Sequence, residues 1–346
     1  MTLDAKEITW QSPSNIALIK YWGKHGVQLP KNPSLSITLN SATTTTSMYY
    51  RSSEKGLKIK YMFEGKRNLE FEQKVVKFIK SLLGELPFLN QFELRFESHN
   101  SFPHSTGIAS SASSMSALAL CLISLEEEFN GKKLSSEEFF TRASYFARLG
   151  SGSASRSVFG GFSVWGKEDQ VKNSSNEFAV PMNLPVHEKF SKMGDAILLV
   201  SSQQKSVSST LGHHLMTVHP FAEARYKQAE LSLQALLVCM QVGDFDSFTC
   251  VVENEALTLH SLLMTSSDDG LLLQPNTIRM INEIRQFRAE TGLQMCFTLD
   301  AGPNVHLLYP WSEREKVLDF ITFRLQRYCE NEKWIDDEMG NGPVKL

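Results

Sequence analysis

No stretch of this chain approaches the roughly 20 consecutive apolar residues that cross a bilayer, so no membrane span is expected. Its longest apolar candidates, residues 196–200 and 271–273, are core-strand or turn material. The opening residues, Met1 to Glu7, place no basic flank ahead of an apolar stretch, which argues against a secretory signal. Excess positive charge is missing too. With 35 basic and 38 acidic side chains the net charge is −3, which disfavours a general nucleic-acid binder. Cysteine is sparse: Cys121, Cys239, Cys250, Cys296 and Cys329 are scattered and never paired as CxxC. They read as buried reduced thiols of a cytosolic protein. No Cys or His cluster has the spacing of zinc ligands, and the adjacent His213 and His214 would point apart on a helix or strand. Internal repeats and long linkers are absent.

What is present is ordinary globular material: 346 residues, 42% hydrophobic and 21% charged, enough for one large domain or two. Residues 36–50 are rich in Thr and Ile and read as extended. Residues 57–63 and 92–97 alternate apolar and polar, as half-buried strands do. Helical periods run over 72–83 and, most clearly, over 107–131, where Ile108, Ala112, Met115, Leu118, Leu122, Leu125 and Phe129 recur and Asn130-Gly131 supplies a stop. A capping box at Ser135 and Glu138 starts another helix that ends at Gly150. The polar stretch 166–192 suggests a domain boundary near residue 185. Beyond it, 195–200 reads as a buried strand, 220–242, 245–265 and 277–290 as helices, and 293–299 with 305–309 as a strand pair. A last helix is expected from Ser312, with Glu315 completing a capping box.

Four segments could carry chemistry. In residues 12–24, a strand-like run ends in Lys20-Tyr21-Trp22-Gly23-Lys24, two lysines able to neutralise a phosphate or carboxylate. In 103–114, a Ser/Gly loop enters the long helix, where free N–H groups and small side chains suit a polyphosphate. That loop matches neither GxxxxGK[ST] nor GxGxxG. In 150–162, serines alternate from Ser151 to Ser157 around one cation, Arg156, whose guanidinium fork could pair with a carboxylate. In 298–304, Asp300 ends a β-rich run before a tight turn, a position suited to base or orienting work, or simply to opening a turn.

Together these segments resemble the GHMP kinase superfamily and, within it, the mevalonate diphosphate decarboxylases. Residues 15–24 look like that family's N-terminal signature, 103–111 like the superfamily phosphate loop PxxxGxxSS, and 150–156 like the GSGSxxR block. Residues 201–212 resemble the substrate diphosphate loop and 298–304 the TxDAGPN block. Ser114, His25 and Ser155 depart from the usual Gly, Arg and Cys.

The resemblance implies a two-domain α+β GHMP kinase fold. A ribosomal-protein-like ATP-binding domain would span 1–185 and a ferredoxin-like α+β domain 186–346, with the active site between them. It implies ATP-dependent decarboxylation of diphosphomevalonate to isopentenyl diphosphate, with magnesium, in a cytoplasmic homodimer. Asp300, Lys20 and Arg156 would be catalytic. Tyr21, Lys24, Ser151, Ser153, Ser208 and Ser209 would bind substrate, with Lys205 adding positive potential. Gly107, Ser110 and Ser111 would hold the nucleotide and its metal. The competing readings are a kinase that stops at phosphorylation, a decarboxylase of the monophosphate, and a catalytically silent sensor. All three members of the Asp–Lys–Arg trio are present, which weighs against the first and last.

Overall fold

The computed structural model describes residues 5–102, 110–203, 209–266 and 270–346. The expected Gly107, Lys205 and Ser208 lie outside the described residues, as does the side chain of Ser209.

Two sheets organise the chain. The first contains β1 (Lys6–Ile19), β4 (Ser34–Ser52), β5 (Lys58–Phe63), β6 (Phe92–Asn100), β7 (Phe162–Trp165), β8 (Ala179–Pro181) and β13 (Val344–Lys345). Its main order is β13-β1-β4-β6-β5, with β7 on β4 and β8 on β7. A two-strand hairpin, β2 (Lys24–His25) and β3 (Leu29–Pro30), sits apart. The second sheet, β10-β11-β9-β12, is antiparallel throughout: β9 (Met193–Leu198), β10 (Cys296–Leu299), β11 (Val305–Pro310) and β12 (Trp334–Glu338).

The helices are α1 (Leu69–Ser81), α2 (Ser110–Asn130), α3 (Ser136–Gly150), α4 (Ser209–Met216), α5 (Ala222–Val242), α6 (Phe245–Met264), α7 (Pro275–Thr291) and α8 (Arg314–Phe320). Their apolar faces produce three principal cores. Leu118, Leu122 and Phe146 of α2 and α3 pack with Trp10 and Met48 on one face of the first sheet. Leu233 and Leu236 of α5 and Phe248 and Val252 of α6 share a core with Ile16, Leu18 and Ile37 of the first sheet and Ile197 and Leu308 of the second. Met280 and Ile284 of α7 and Phe320 of α8 cover the far face of the second sheet with Phe297 and Leu307. Helices α5 and α6 thus lie between the two sheets. Among the described residues, no helix is long and apolar enough to cross a membrane.

Several expectations take a different form. The polar stretch 166–192 contains β8, since Ala179 and Val180 find a partner strand in β7. The expected capping box at Ser312 does not form. Residues Trp311–Glu313 make a 3-10 turn after Pro310, and α8 starts at Arg314 with no side-chain cap. The box at Ser135 and Glu138 is made in both directions. Cys250 is exposed rather than buried; the other four thiols are buried and all five are free. His213 is buried and His214 exposed, on opposite sides of α4.

The two sheets are joined by a carboxylate. Asp337 of β12, 2% exposed, accepts the backbone N–H groups of Asn40, Ser41 and Ala42 at 3.0, 2.7 and 2.8 Å. Burial pushes its pKa up, while these N–H groups pull against that shift. Removing such an acceptor leaves the buried Ala42 N–H unsatisfied, at about 1–3 kcal/mol, and also strips the part-buried Asn40 and Ser41 donors of their partner. Asp337→Ala is therefore expected to lower unfolding stability by at least about 2 kcal/mol. Asp337→Asn, which keeps one acceptor oxygen, should lose less. Urea denaturation of the two variants checks this, and equal losses would mean that the acceptor oxygen kept by asparagine contributes nothing.

Candidate active site

The first segment places its lysine through an irregular strand. The pairing of β1 with β4 shifts register between Pro13 and Asn15 and again between Ala17 and Ile19. Proline cannot donate to the ladder, and such shifts re-aim side chains. After the second shift the strand ends and Lys20 turns inward, with 2% of its surface exposed. Its ammonium donates to the Ala17 carbonyl at 2.6 Å and lies 3.6 Å from Asp300 Oδ1. Burial lowers the Lys20 pKa, opposed by the charges of Asp300 and Glu255 and assisted by Arg156.

Asp300 follows β10, on the other sheet. Its turn is fixed from several sides. The Asp300 carbonyl meets His260 Nε2 at 3.0 Å and accepts the Gly302 N–H at 2.7 Å. Thr277 donates to the Pro303 carbonyl at 2.7 Å. Asn304 pairs with the Ser201 backbone in both directions, at 2.9 and 3.0 Å. The carboxylate itself remains 30% exposed, open to a ligand while its backbone is held.

Arg156 lies in a 3-10 turn, Gly152–Val158, that follows α3. It is buried, at 2% exposure, not a solvated loop cation. Nε donates to Asn15 Oδ1 at 3.3 Å, another nitrogen donates to Ser34 Oγ, and the guanidinium stands 6.0 Å from the Trp165 ring centre. Asn15 is held in turn by its own donation to Ser157 Oγ at 2.7 Å and to the Ser153 carbonyl at 3.2 Å. Burial lowers the Arg156 pKa to about 10, and the nearby Asp300 charge opposes the shift. Among the described residues, the hydrogen bonds of this guanidinium go to neutral oxygens. A buried charge held that way favours an anionic ligand.

The remaining expected residues fall around this trio unevenly. Tyr21 is largely buried against Trp165 and His213, at ring distances of 4.6 and 4.3 Å, and its hydroxyl has no hydrogen-bond partner among the described residues. Burial raises its pKa. Ser151 Oγ lies 3.4 Å from Ser153 Oγ and 3.5 Å from Ser111 Oγ, which joins the Gly-Ser turn to the start of α2. Ser110 and Ser111 open that helix, whose first turn carries no acidic residue, as an anion site requires. Lys24 is partly buried in the β2–β3 hairpin and donates to Gln28 at 3.1 Å, so its hydrogen bond does not reach the trio. Buried Arg148 ties that hairpin down by donating to the Val27 carbonyl and to Glu177. Among the described residues, no group of three or more His, Cys, Asp or Glu could hold a metal ion.

Sequence reasoning missed four residues of this site. Glu255 accepts the Lys20 N–H at 3.0 Å, Arg225 pairs with Glu255 at 3.0 and 2.6 Å, His260 meets the Asp300 carbonyl, and His213 Nδ1 accepts the Gly23 N–H at 3.0 Å. All lie on helices, where a polar residue reads as part of a solvated face.

Two family models divide most of the chain. Residues 12–177 match the diphosphomevalonate decarboxylase-like N-terminal domain, and residues 196–342 the mevalonate 5-diphosphate decarboxylase C-terminal domain. Similar proteins include the diphosphomevalonate decarboxylase of Debaryomyces hansenii, 29% identical over 90% of this chain and 81% of that protein. That of Saccharomyces cerevisiae is 28% identical over 93% and 82%. Among solved structures, the Staphylococcus aureus mevalonate diphosphate decarboxylase superposes with a TM-score of 0.83 at 26% identity, covering 99% of this chain and 98% of that one. The structure of MDDEF in complex with MVAPP, AMPPCP and magnesium gives 0.82 at 28%, covering 99% of both.

The packing under the Gly-Ser turn is tight enough to test. A Cβ on Gly152 would stand 2.7 Å from the Trp165 ring and 2.8 Å from the Tyr21 ring. Overfilling of this kind costs about 1–3 kcal/mol. Gly152→Ala is expected to lose that much in urea unfolding and to perturb the near-ultraviolet signal of the displaced rings. A variant with wild-type stability and spectrum would show that the turn yields freely.

Proposed function

The chain belongs to the diphosphomevalonate decarboxylase family, and on that premise we propose how its residues convert (R)-5-diphosphomevalonate, with ATP, into isopentenyl diphosphate, ADP, phosphate and carbon dioxide. The observation that carries the reading is the Lys20–Asp300–Arg156 grouping, two buried cations beside a carboxylate that is 30% exposed. It places a carboxylate and two cations at one site, contributed by both sheets and the turn after α3.

The tertiary hydroxyl of the substrate is a poor leaving group until it is phosphorylated. Asp300 orients that hydroxyl and takes its proton as the oxygen attacks the γ-phosphorus and the bond to ADP breaks. Lys20 pairs with Asp300 at 3.6 Å and offsets charge on the transferring group. Arg156 holds the substrate carboxylate, a planar anion that suits a fork whose hydrogen bonds among the described residues go to neutral oxygens. Phosphate then leaves with the C–O bonding electrons, and the electrons of the bond to the carboxylate form the double bond as carbon dioxide departs. Tyr21, Lys24, Ser151, Ser153, Ser208 and Ser209 contact the substrate, chiefly its phosphates; the unpartnered Tyr21 hydroxyl supports its place.

Gly107, Ser110 and Ser111 receive the ATP phosphates and the accompanying metal, a role that the acid-free first turn of α2 favours. Magnesium supplies neutralisation of the phosphoryl oxygens when bound. The lack of a protein cage among the described residues fits an ion held largely by phosphates. We assign residues 1–185 and 186–346 to the two domains. The family expectation of a cytoplasmic homodimer is carried forward, with sedimentation as its check.

The direct test is ADP and carbon dioxide release from carboxyl-labelled diphosphomevalonate, compared with the monophosphate. Stoichiometric release of both products is expected, and ADP without carbon dioxide would make the protein a kinase. Asp300→Asn should lower kcat by roughly 10²–10⁴ while ATP affinity stays within a few-fold. Near-normal turnover would reduce Asp300 to a turn residue. Arg156→Lys keeps the charge and loses the fork. It should be impaired by at least about 1.5 kcal/mol, with ADP appearing ahead of carbon dioxide after an early quench. Wild-type rates of both products would remove Arg156 from the chemistry.

A further inference from the structure

One helix touches both catalytic partners through their backbones. From α6, the fully buried Glu255 accepts the Lys20 N–H at 3.0 Å, and His260, also fully buried, meets the Asp300 carbonyl at 3.0 Å. Lys20 ends a strand of one sheet and Asp300 follows a strand of the other, so no shared ladder sets their 3.6 Å separation. Each is gripped by its main chain, which leaves the Lys20 ammonium and the Asp300 carboxylate to pair with one another.

We propose that Glu255 and His260 are positioning residues, with α6 as the template that fixes the Lys20–Asp300 gap. This rests on the reading of the site given above. Three charged groups act on the Lys20 ammonium, with a neutral ring beside them. Asp300 from the turn after β10 and Glu255 from α6 favour its charge, Arg156 from the turn after α3 opposes it, and His260 of α6 lies close by. Arg225 of α5 balances Glu255 by a two-pronged pair at 3.0 and 2.6 Å, with both side chains at most 1% exposed. Burial lowers the His260 pKa to about 4, so at neutral pH its ring is uncharged. A neutral ring with Nε2–H donates to the Asp300 carbonyl without adding positive charge beside Lys20.

The sign of the effect is definite. Burial already lowers the Lys20 pKa and Glu255 raises it, so loss of the Glu255 charge must lower it further. Glu255→Gln keeps the shape and an acceptor for the Lys20 N–H. Its alkaline limb of kcat/KM should move to lower pH by about one unit, the shift expected from a neighbouring buried charge. Because a lone Arg225 would be left buried, the double variant Glu255→Gln with Arg225→Met serves as the folding control. It should regain stability yet keep the displaced limb. His260→Phe should lower kcat about tenfold, with KM for both substrates within twofold and the limb unmoved.

The 13Cε shift of Lys20, assigned with Lys20→Met in lysine-labelled protein, gives a second titration that needs no turnover. It should follow the kinetic limb in wild type and variants. If wild type releases no carbon dioxide, the functional reading fails while this titration still judges Glu255. An unmoved Lys20 titration in a folded Glu255→Gln overturns the electrostatic role, and an unchanged kcat in His260→Phe overturns the template.

Discussion

Buried charge is the constraint around which this molecule is arranged. Lys20, Arg156 and Arg225 stand with Asp300 and Glu255 in a region where all but Asp300 are almost sealed from water. Taking each ion out of solvent costs several kcal/mol, and the attraction between them returns that only where geometry and additional hydrogen bonds are good. The structure supplies both with main-chain atoms and neutral side chains: the Ala17 carbonyl on Lys20, Asn15 and Ser34 on Arg156, and the Lys20 N–H on Glu255. Those supports come from β1, β4, α5, α6 and the Gly-Ser turn, so the site fixes how the layers meet. A protein with net charge −3 thereby holds a local excess of cations, three against two carboxylates.

The parts of the site legible in the sequence are those whose local composition is odd. Two lysines around a Tyr-Trp pair, an arginine alone among small residues, and an aspartate before Ala-Gly-Pro-Asn each stand out from their surroundings, and the structure brings Lys20, Arg156 and Asp300 to one place. Their supports were not legible. Glu255 follows Glu253 in a helix of mixed polarity, and one acid at 0% exposure and another pairing with surface arginines look alike as letters. Only the tertiary arrangement sets Arg225 of α5 against Glu255 of α6, 30 residues apart in sequence and adjacent in space.

The fold was legible to the same degree and for the same reason. Long periodic segments such as α2 and alternating ones such as β5 and β6 declare themselves by side-chain spacing. Short strands do not. β8 has three residues and β13 two, and both are strands because a partner strand is already present, not because of any pattern of their own. Ser312 carries the letters of a capping box, yet the 3-10 turn after Pro310 moves the helix start past it.

The small strand β13 has a consequence for the order in which the molecule can be made. It pairs Val344 and Lys345 with Gln11 and Trp10 of β1, while the preceding segment lies against β4 through the Leu39–Met339 bridge and the Gly340–Thr38 hydrogen bond. A ribosome delivers residue 10 long before residue 345. Until residues 344–345 have emerged, that flank of β1 is therefore an open edge, with backbone donors and acceptors that a second nascent chain could occupy. A chain truncated before β12 would keep Lys20, Arg156 and Asp300 while lacking both the Asp337 tie and the strand that pairs with this edge.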